Sequence, residues 1–127
     1  MDDSVTNWLK IARYDLKSAV DSHKCDNYLT CIEKCHNALE KILKALISSQ
    51  NQVPSKIHAL LRLSSETVIE NLQKDIQSFF DELDTLYMST RYPDDFEMLQ
   101  ASVGESESER ILKETKRIFS WLEKKIK

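Results

Sequence analysis

Four consecutive residues, Arg91-Tyr92-Pro93-Asp94, stand where a long apolar-periodic run ends. A guanidinium is a permanently charged, planar fork that meets phosphate or carboxylate through two parallel hydrogen bonds. Proline lacks an N–H and disfavours helix at the residue before it, so a helix has to stop here. Tyr87 lies one helical turn before Arg91, on the same edge. Tyr87, Arg91 and Tyr92 together offer charge for a phosphate and an aromatic face for a base, which is what a nucleotide needs. The same residues also read as a plain helix stop, with Arg91 paired to Asp94 or Asp95 and Tyr92 packed.

Other polar residues could join such a site. His58, in Lys56-Ile57-His58-Ala59-Leu60, suits either a proton role or a structural hydrogen bond. Asn37, Lys41 and Lys44 fall opposite the apolar stripe of their helix and read as a solvated face, flanked by Ala38 and Ala45 that would let another chain come close. The candidate ligand-binding set is therefore Arg91, Tyr92, His58, Lys41, Asn37 and Tyr87, and no catalytic residue is assigned. Cys25, Cys31 and Cys35 lie near His23 and His36, but structural zinc needs four converging ligands. Cys31 and Cys35 sit mid-stripe and read as small core residues, so no metal site is assigned. The acidic stretch Asp94, Asp95, Glu97 and Glu105 to Glu109 lacks calcium-loop spacing and reads as a solvated loop. There is no Gly-rich phosphate loop, Gly-x-Ser-x-Gly, His-Glu-x-x-His or Gly-Ser with paired aspartates, and no cofactor motif.

The elements that must position these residues are helical throughout. The first helix spans about Ser4 to His23, with Trp8, Ala12, Leu16 and Val20 as its apolar line and Ile11 and Ala19 beside it. Asp26 is placed to cap a second helix whose stripe is Tyr28, Cys31, Ile32, Cys35, Leu39, Ile42 and Leu46. Ser48 to Ser55, with Pro54, reads as a loop, and Ile57 to Leu63 as a short helix. A long helix from about Glu66 to Thr90 carries Ile69, Leu72, Ile76, Phe79, Phe80, Leu83, Leu86 and Tyr87 inward. A turn of helix fits Phe96 to Ala101, and Ser106-x-x-Glu109 fits a capping box for the last helix. The expectation is an all-α, up-and-down bundle of four long helices and one short one, the first pair forming an antiparallel hairpin.

Length and charge bound the function. At 127 residues the chain reads as one domain, residues 1–127. A net charge of −3 argues against a nucleic-acid coat. No apolar run approaches the ~18 residues of a membrane span. An odd number of cysteines behind an unsignalled N-terminus reads as reduced and cytoplasmic.

Taken in order, these stretches resemble the HEPN domain (higher eukaryotes and prokaryotes nucleotide-binding). Trp8 to Leu16 has the form Trp-Leu-x-x-Ala-x-x-Asp-Leu, and Asn37-Ala38-Leu39-Glu40-Lys41-Ile42-Leu43-Lys44-Ala45-Leu46 is similar to the family's Gln-Ala-x-Glu-Lys-x-x-Lys-Ala-Leu. His58-Ala59-Leu60-Leu61-Arg62-Leu63 resembles its His-x-Leu-x-x-Leu, and Arg91-Tyr92-Pro93-Asp94 matches directly. Asn37 stands in place of the usual glutamine, and Ala59 where an acidic residue or asparagine is common. The resemblance implies a helical bundle that often dimerises and that binds nucleotide or substrate for a separately encoded minimal nucleotidyltransferase, sometimes as a toxin–antitoxin pair. The ribonuclease branch of the family resembles an arginine followed four to six residues later by histidine, and no arginine here has one at that distance. A non-catalytic binding module is the reading that follows. A ribonuclease toxin of the same fold, or a dimerisation scaffold without a ligand, are its rivals.

Overall fold

A computed structural model describes residues 2–126, and the regular elements among them are six α-helices: α1 (Asp3–Lys24), α2 (Tyr28–Ser49), α3 (Leu60–Ser64), α4 (Lys74–Ser89), α5 (Pro93–Ser102) and α6 (Glu105–Glu123). The four long helices and the short α3 answer the expected bundle, and α5 is an added ten-residue helix where only a turn is foreseen. α2 is the centre. α1 packs along it most extensively, and α6, α3 and α4 cover its other sides.

That central place corrects one expectation. The side of α2 bearing Asn37, Lys41 and Lys44 is not a solvated face: Lys44 is only 6% exposed, Ala38 and Ala45 have no exposed surface, and Asn37 and Lys41 are half-buried. α1 lies over α2 within the same chain, so the two alanines cannot receive a second one. Small residues at fully buried positions on both helices, Ala12 and Ala19 with Ala38 and Ala45, allow the backbones to approach closely. The buried line of α1 is consequently Val5, Leu9, Ala12, Asp15 and Ala19, while Trp8, Leu16 and Val20 are half-buried and Ile11 is exposed.

The caps differ from expectation for local reasons. Asp2 starts α1, its Oδ1 accepting from Ser4 N–H at 2.7 Å. Asp26 adopts a left-handed φ of 62° to reverse the chain, so the cap of α2 falls one residue later, at Asn27. α6 starts from Gly104 without a side-chain cap, placing Ser106 inside the helix, and Glu105 and Glu107 face the helix dipole in its first turn.

Residues 66–73 are irregular although their apolar spacing suits a helix. Side chains there take the backbone groups that a helix would use. The Gln50 amide accepts from Val68 N–H at 2.8 Å and donates to the Glu66 carbonyl, while the Thr67 hydroxyl donates to the Ser64 carbonyl at 2.6 Å. Ile69 and Leu72 still pack against the core. At the other end of α4, Tyr92 is extended, as a residue before proline should be, and Pro93 is the first residue of α5. One proline both stops a helix and starts the next.

Candidate functional site

Tyr87, in the last turn of α4, and Arg91, in the turn that follows the helix, are four residues apart and meet. The Arg91 guanidinium carbon lies 4.3 Å from the centre of the Tyr87 ring, and its Nη2 donates to the Tyr87 hydroxyl. From α2, the His36 ring stacks on Tyr87 with centroids 3.9 Å apart and planes 7° from parallel. The Tyr87 ring is thus flanked by an imidazole and a guanidinium. Among the described residues Arg91 has no carboxylate partner, so the expected alternative of a pair with Asp94 or Asp95 is not what holds it.

The inner end of this stack is tied down by Asp84. Its carboxylate accepts from the Leu60 N–H at 2.9 Å and from the Leu61 N–H at 3.4 Å, the unpaired amides at the start of α3. The same carboxylate lies 2.9 Å from His36 Nε2. Since Asp84 already accepts from amides, the imidazole donates and its proton is on Nε2. Asp84 therefore sets both where α3 begins and how His36 is oriented.

Another carboxylate, Glu40, is one turn beyond His36 on α2 and, unlike the half-buried Asp84, only 1% exposed. Its Oε2 accepts from Lys44 Nζ at 3.1 Å, from Lys41 Nζ at 3.4 Å and from His58 Nδ1 at 3.1 Å. Desolvation works to raise the Glu40 carboxyl, but the His58 hydrogen bond and the two lysines outweigh it and leave it below the ordinary value. Glu40 is therefore ionised, and it fixes His58 as the Nδ1–H tautomer. The His58 side chain is itself 70% exposed. A buried carboxylate behind an exposed imidazole is an arrangement that orients the ring toward whatever arrives from solvent.

These two networks meet at a cleft of about 70 Å³ lined by His36, His58, Ala59, Asp84, Tyr87 and Met88. Ligand pockets for whole small molecules run from roughly 300 to 1,000 Å³. This one has room for a single compact group.

A model of the HEPN domain matches residues 5–125. The chain belongs to the HEPN family. It is similar in structure to TT1696 from Thermus thermophilus, with a TM-score of 0.84, 25% identity and coverage of 98% of this chain and 99% of that one. It is also similar to an archaeal HEPN homologue, with a TM-score of 0.76, 24% identity and coverage of 97% and 98%. No curated protein matches it in sequence.

On this HEPN bundle the sequence-derived candidates divide. His58, Lys41, Tyr87 and Arg91 are drawn together through Glu40, His36 and Asp84. Tyr92 is exposed beside them, and Asn37, half-buried on α2, joins none of these hydrogen bonds. His36, Glu40 and Asp84 were not foreseen. His36, Glu40 and Lys44 are spaced i, i+4, i+8, which puts them on one helical edge and is a signal in the sequence. Asp84 left none, because its partners are 23 to 48 residues away. Elsewhere His23 Nδ1 is 2.8 Å from the Ser108 hydroxyl, Cys31 and Cys35 are buried, and among the described residues no three His, Cys, Asp or Glu side chains converge as a metal site.

Proposed function

We propose that this HEPN domain is a non-catalytic module that binds the phosphate of a nucleotide or nucleotide-bearing substrate, working beside a separately encoded minimal nucleotidyltransferase. The observation that carries the reading is Arg91. Its guanidinium is held by Tyr87, lacks a carboxylate counter-ion and stands next to a cleft fitted to one compact group. Arg91 and His58 hold the phosphoryl group, Lys41 adds positive charge behind Glu40, and the base remains outside the cleft, toward the exposed Tyr92. The module works as a homodimer in the cytoplasm. With Ala38 and Ala45 buried, the dimer face moves to the exposed Phe96 and Met98 of α5.

Calorimetric titration with AMP, ATP and inorganic phosphate tests the binding. Micromolar to submillimolar nucleotide binding that disappears in Arg91→Ala is the expected result. Absence of binding below millimolar removes the binding-module reading. Light scattering of wild type and Phe96→Glu tests the dimer.

A ribonuclease is the second reading, and a separate observation favours it. His58, oriented by Glu40, lines the cleft, and Arg91 packs on the Tyr87 that lines it too, although the two are far apart in sequence. A general base needs that kind of oriented imidazole within reach of the proton it takes. The expected outcome of incubation with single-stranded and structured RNA is no cleavage. Cleavage lost in both His58→Ala and Arg91→Ala transfers the conclusion to the ribonuclease.

A further inference from the structure

The largest cavity described is not the Arg91 cleft. It holds about 510 Å³ and lies between the start of α1, the end of α2 and the loop that follows. Trp8, Lys44, Ser48, Val53, Pro54 and Lys56 form most of its wall. Its volume falls within the roughly 300 to 1,000 Å³ of small-molecule sites.

The chemistry of the wall is specific. Lys44 is a buried ammonium whose one hydrogen-bond acceptor among the described residues is Glu40, at 3.1 Å. An ammonium has three donors, so two remain for the cavity side. The same nitrogen lies 5.4 Å from the centre of the Trp8 ring, which places charge and aromatic surface side by side. Trp8, Val53 and Pro54 supply an apolar surface, and Val53, at 91% exposed, is an aliphatic group left in water at the rim.

The charge count selects the ligand. The wall sets two cations, Lys44 and Lys56, against one carboxylate, Asp2, whose hydrogen bond from the Ser4 N–H leaves its negative charge in place. Lys56, exposed at the rim, is the cation left uncompensated by any ion pair of the described residues. Excess charge of about one unit suits a monoanion and disfavours a phosphate monoester, which carries about −1.5 to −2 at neutral pH.

We infer that this cavity is a binding site for a small aromatic carboxylate, separate from the Arg91 cleft. The ring lies against Trp8 and the proline–valine edge. The carboxylate accepts from Lys44 and Lys56.

The chain has two tryptophans, so two indole N–H signals report in a proton–nitrogen correlation spectrum, and Trp121→Phe assigns them. Benzoate, AMP, inorganic phosphate and benzylamine serve as probes. Benzoate should shift the Trp8 signal saturably and leave Trp121 in place, while benzylamine and phosphate leave both unmoved. Lys56→Glu, at an exposed position with no partner to lose, should weaken benzoate about tenfold, the scale of one charge-assisted contact. Arg91→Ala should leave it unchanged, which separates this site from the phosphate reading. The inference is overturned if benzoate at millimolar concentration leaves Trp8 unmoved, if benzylamine matches benzoate, or if Lys56→Glu binds as well as wild type. In Arg91→Ala, where the phosphate site is removed, an AMP shift of Trp8 at lower concentration than benzoate overturns the monoanion assignment.

Discussion

α2 and the stretch from α4 to α5 carry the two halves of the candidate site, and they are built in opposite ways. From Cys31 to Ser48, α2 has no exposed residue, yet it takes a histidine, a glutamate and a lysine into the interior, where each finds a partner. α5 buries none of its ten residues, and Met88 at the end of α4 and Arg91 and Tyr92 in the link to α5 are exposed. The difference teaches how one site can separate its tasks. Charge inside α2 is bound into structure, and removing it should cost folding. Charge on the α4–α5 side is supported by one aromatic ring, and removing it should cost binding.

The largest effect should come from Glu40→Ala. It leaves Lys44 buried without its acceptor, and breaking a buried pair from one side costs about 3–5 kcal/mol. Urea and thermal melts measure it, and a variant as stable as wild type would erase the contrast between the regions. Arg91→Lys keeps the charge but loses the planar fork. Nucleotide affinity should fall by about ten- to a hundredfold while the melting temperature stays near that of wild type. Calorimetry beside a melt checks both. A falling melting point with unchanged binding would assign Arg91 to structure instead.

Acid provides a smaller, finer test. Glu40 is held below its ordinary value of 4.5, so its contribution is present above that pH and is lost as pH falls through the lower folded value. The stability gap between wild type and Glu40→Gln should therefore close below pH 4.5. Asp15 on α1 is the opposite case. Desolvation raises its carboxyl above the ordinary 3.8 despite Lys41 and Lys34, so its ionised form costs stability at neutral pH. Asp15→Asn should gain stability at neutral pH, and the gain should vanish once acid protonates the wild-type carboxyl. Smallest of all, Glu97→Ala on α5 should change stability by less than about 0.5 kcal/mol, as measured in urea, because that side chain is exposed and joins no ion pair among the described residues.

What was legible in the sequence follows the range of the interactions. The long helices were, because a 3.6-residue apolar period is local information, and so was the Tyr87–Arg91 contact, one turn apart. Residues 66–73 were misread because Gln50, some sixteen residues upstream, takes their backbone groups. Lys44 was misread as solvated because a polar residue facing away from one packing partner looks free until a second partner arrives, here α1. Asp84 and Glu40 gain their roles only when α3 and α4 come to rest beside α2, and no spacing along the chain announces that.

Pro93 has a consequence in time. A ten-residue helix with no buried side chain is shorter than the roughly 12 to 15 residues at which isolated helices become even marginal in water. Its backbone bonds rest on the rigid ring at their head, on one edge of α4 and on the half-buried Leu99 against the core. Amide protons in α5 should therefore exchange with solvent through brief local openings, while those of α2 wait for the whole molecule to unfold. Arg91 and Tyr92 lie at the boundary between those two clocks, so a ligand seated there would report its arrival by slowing the faster one.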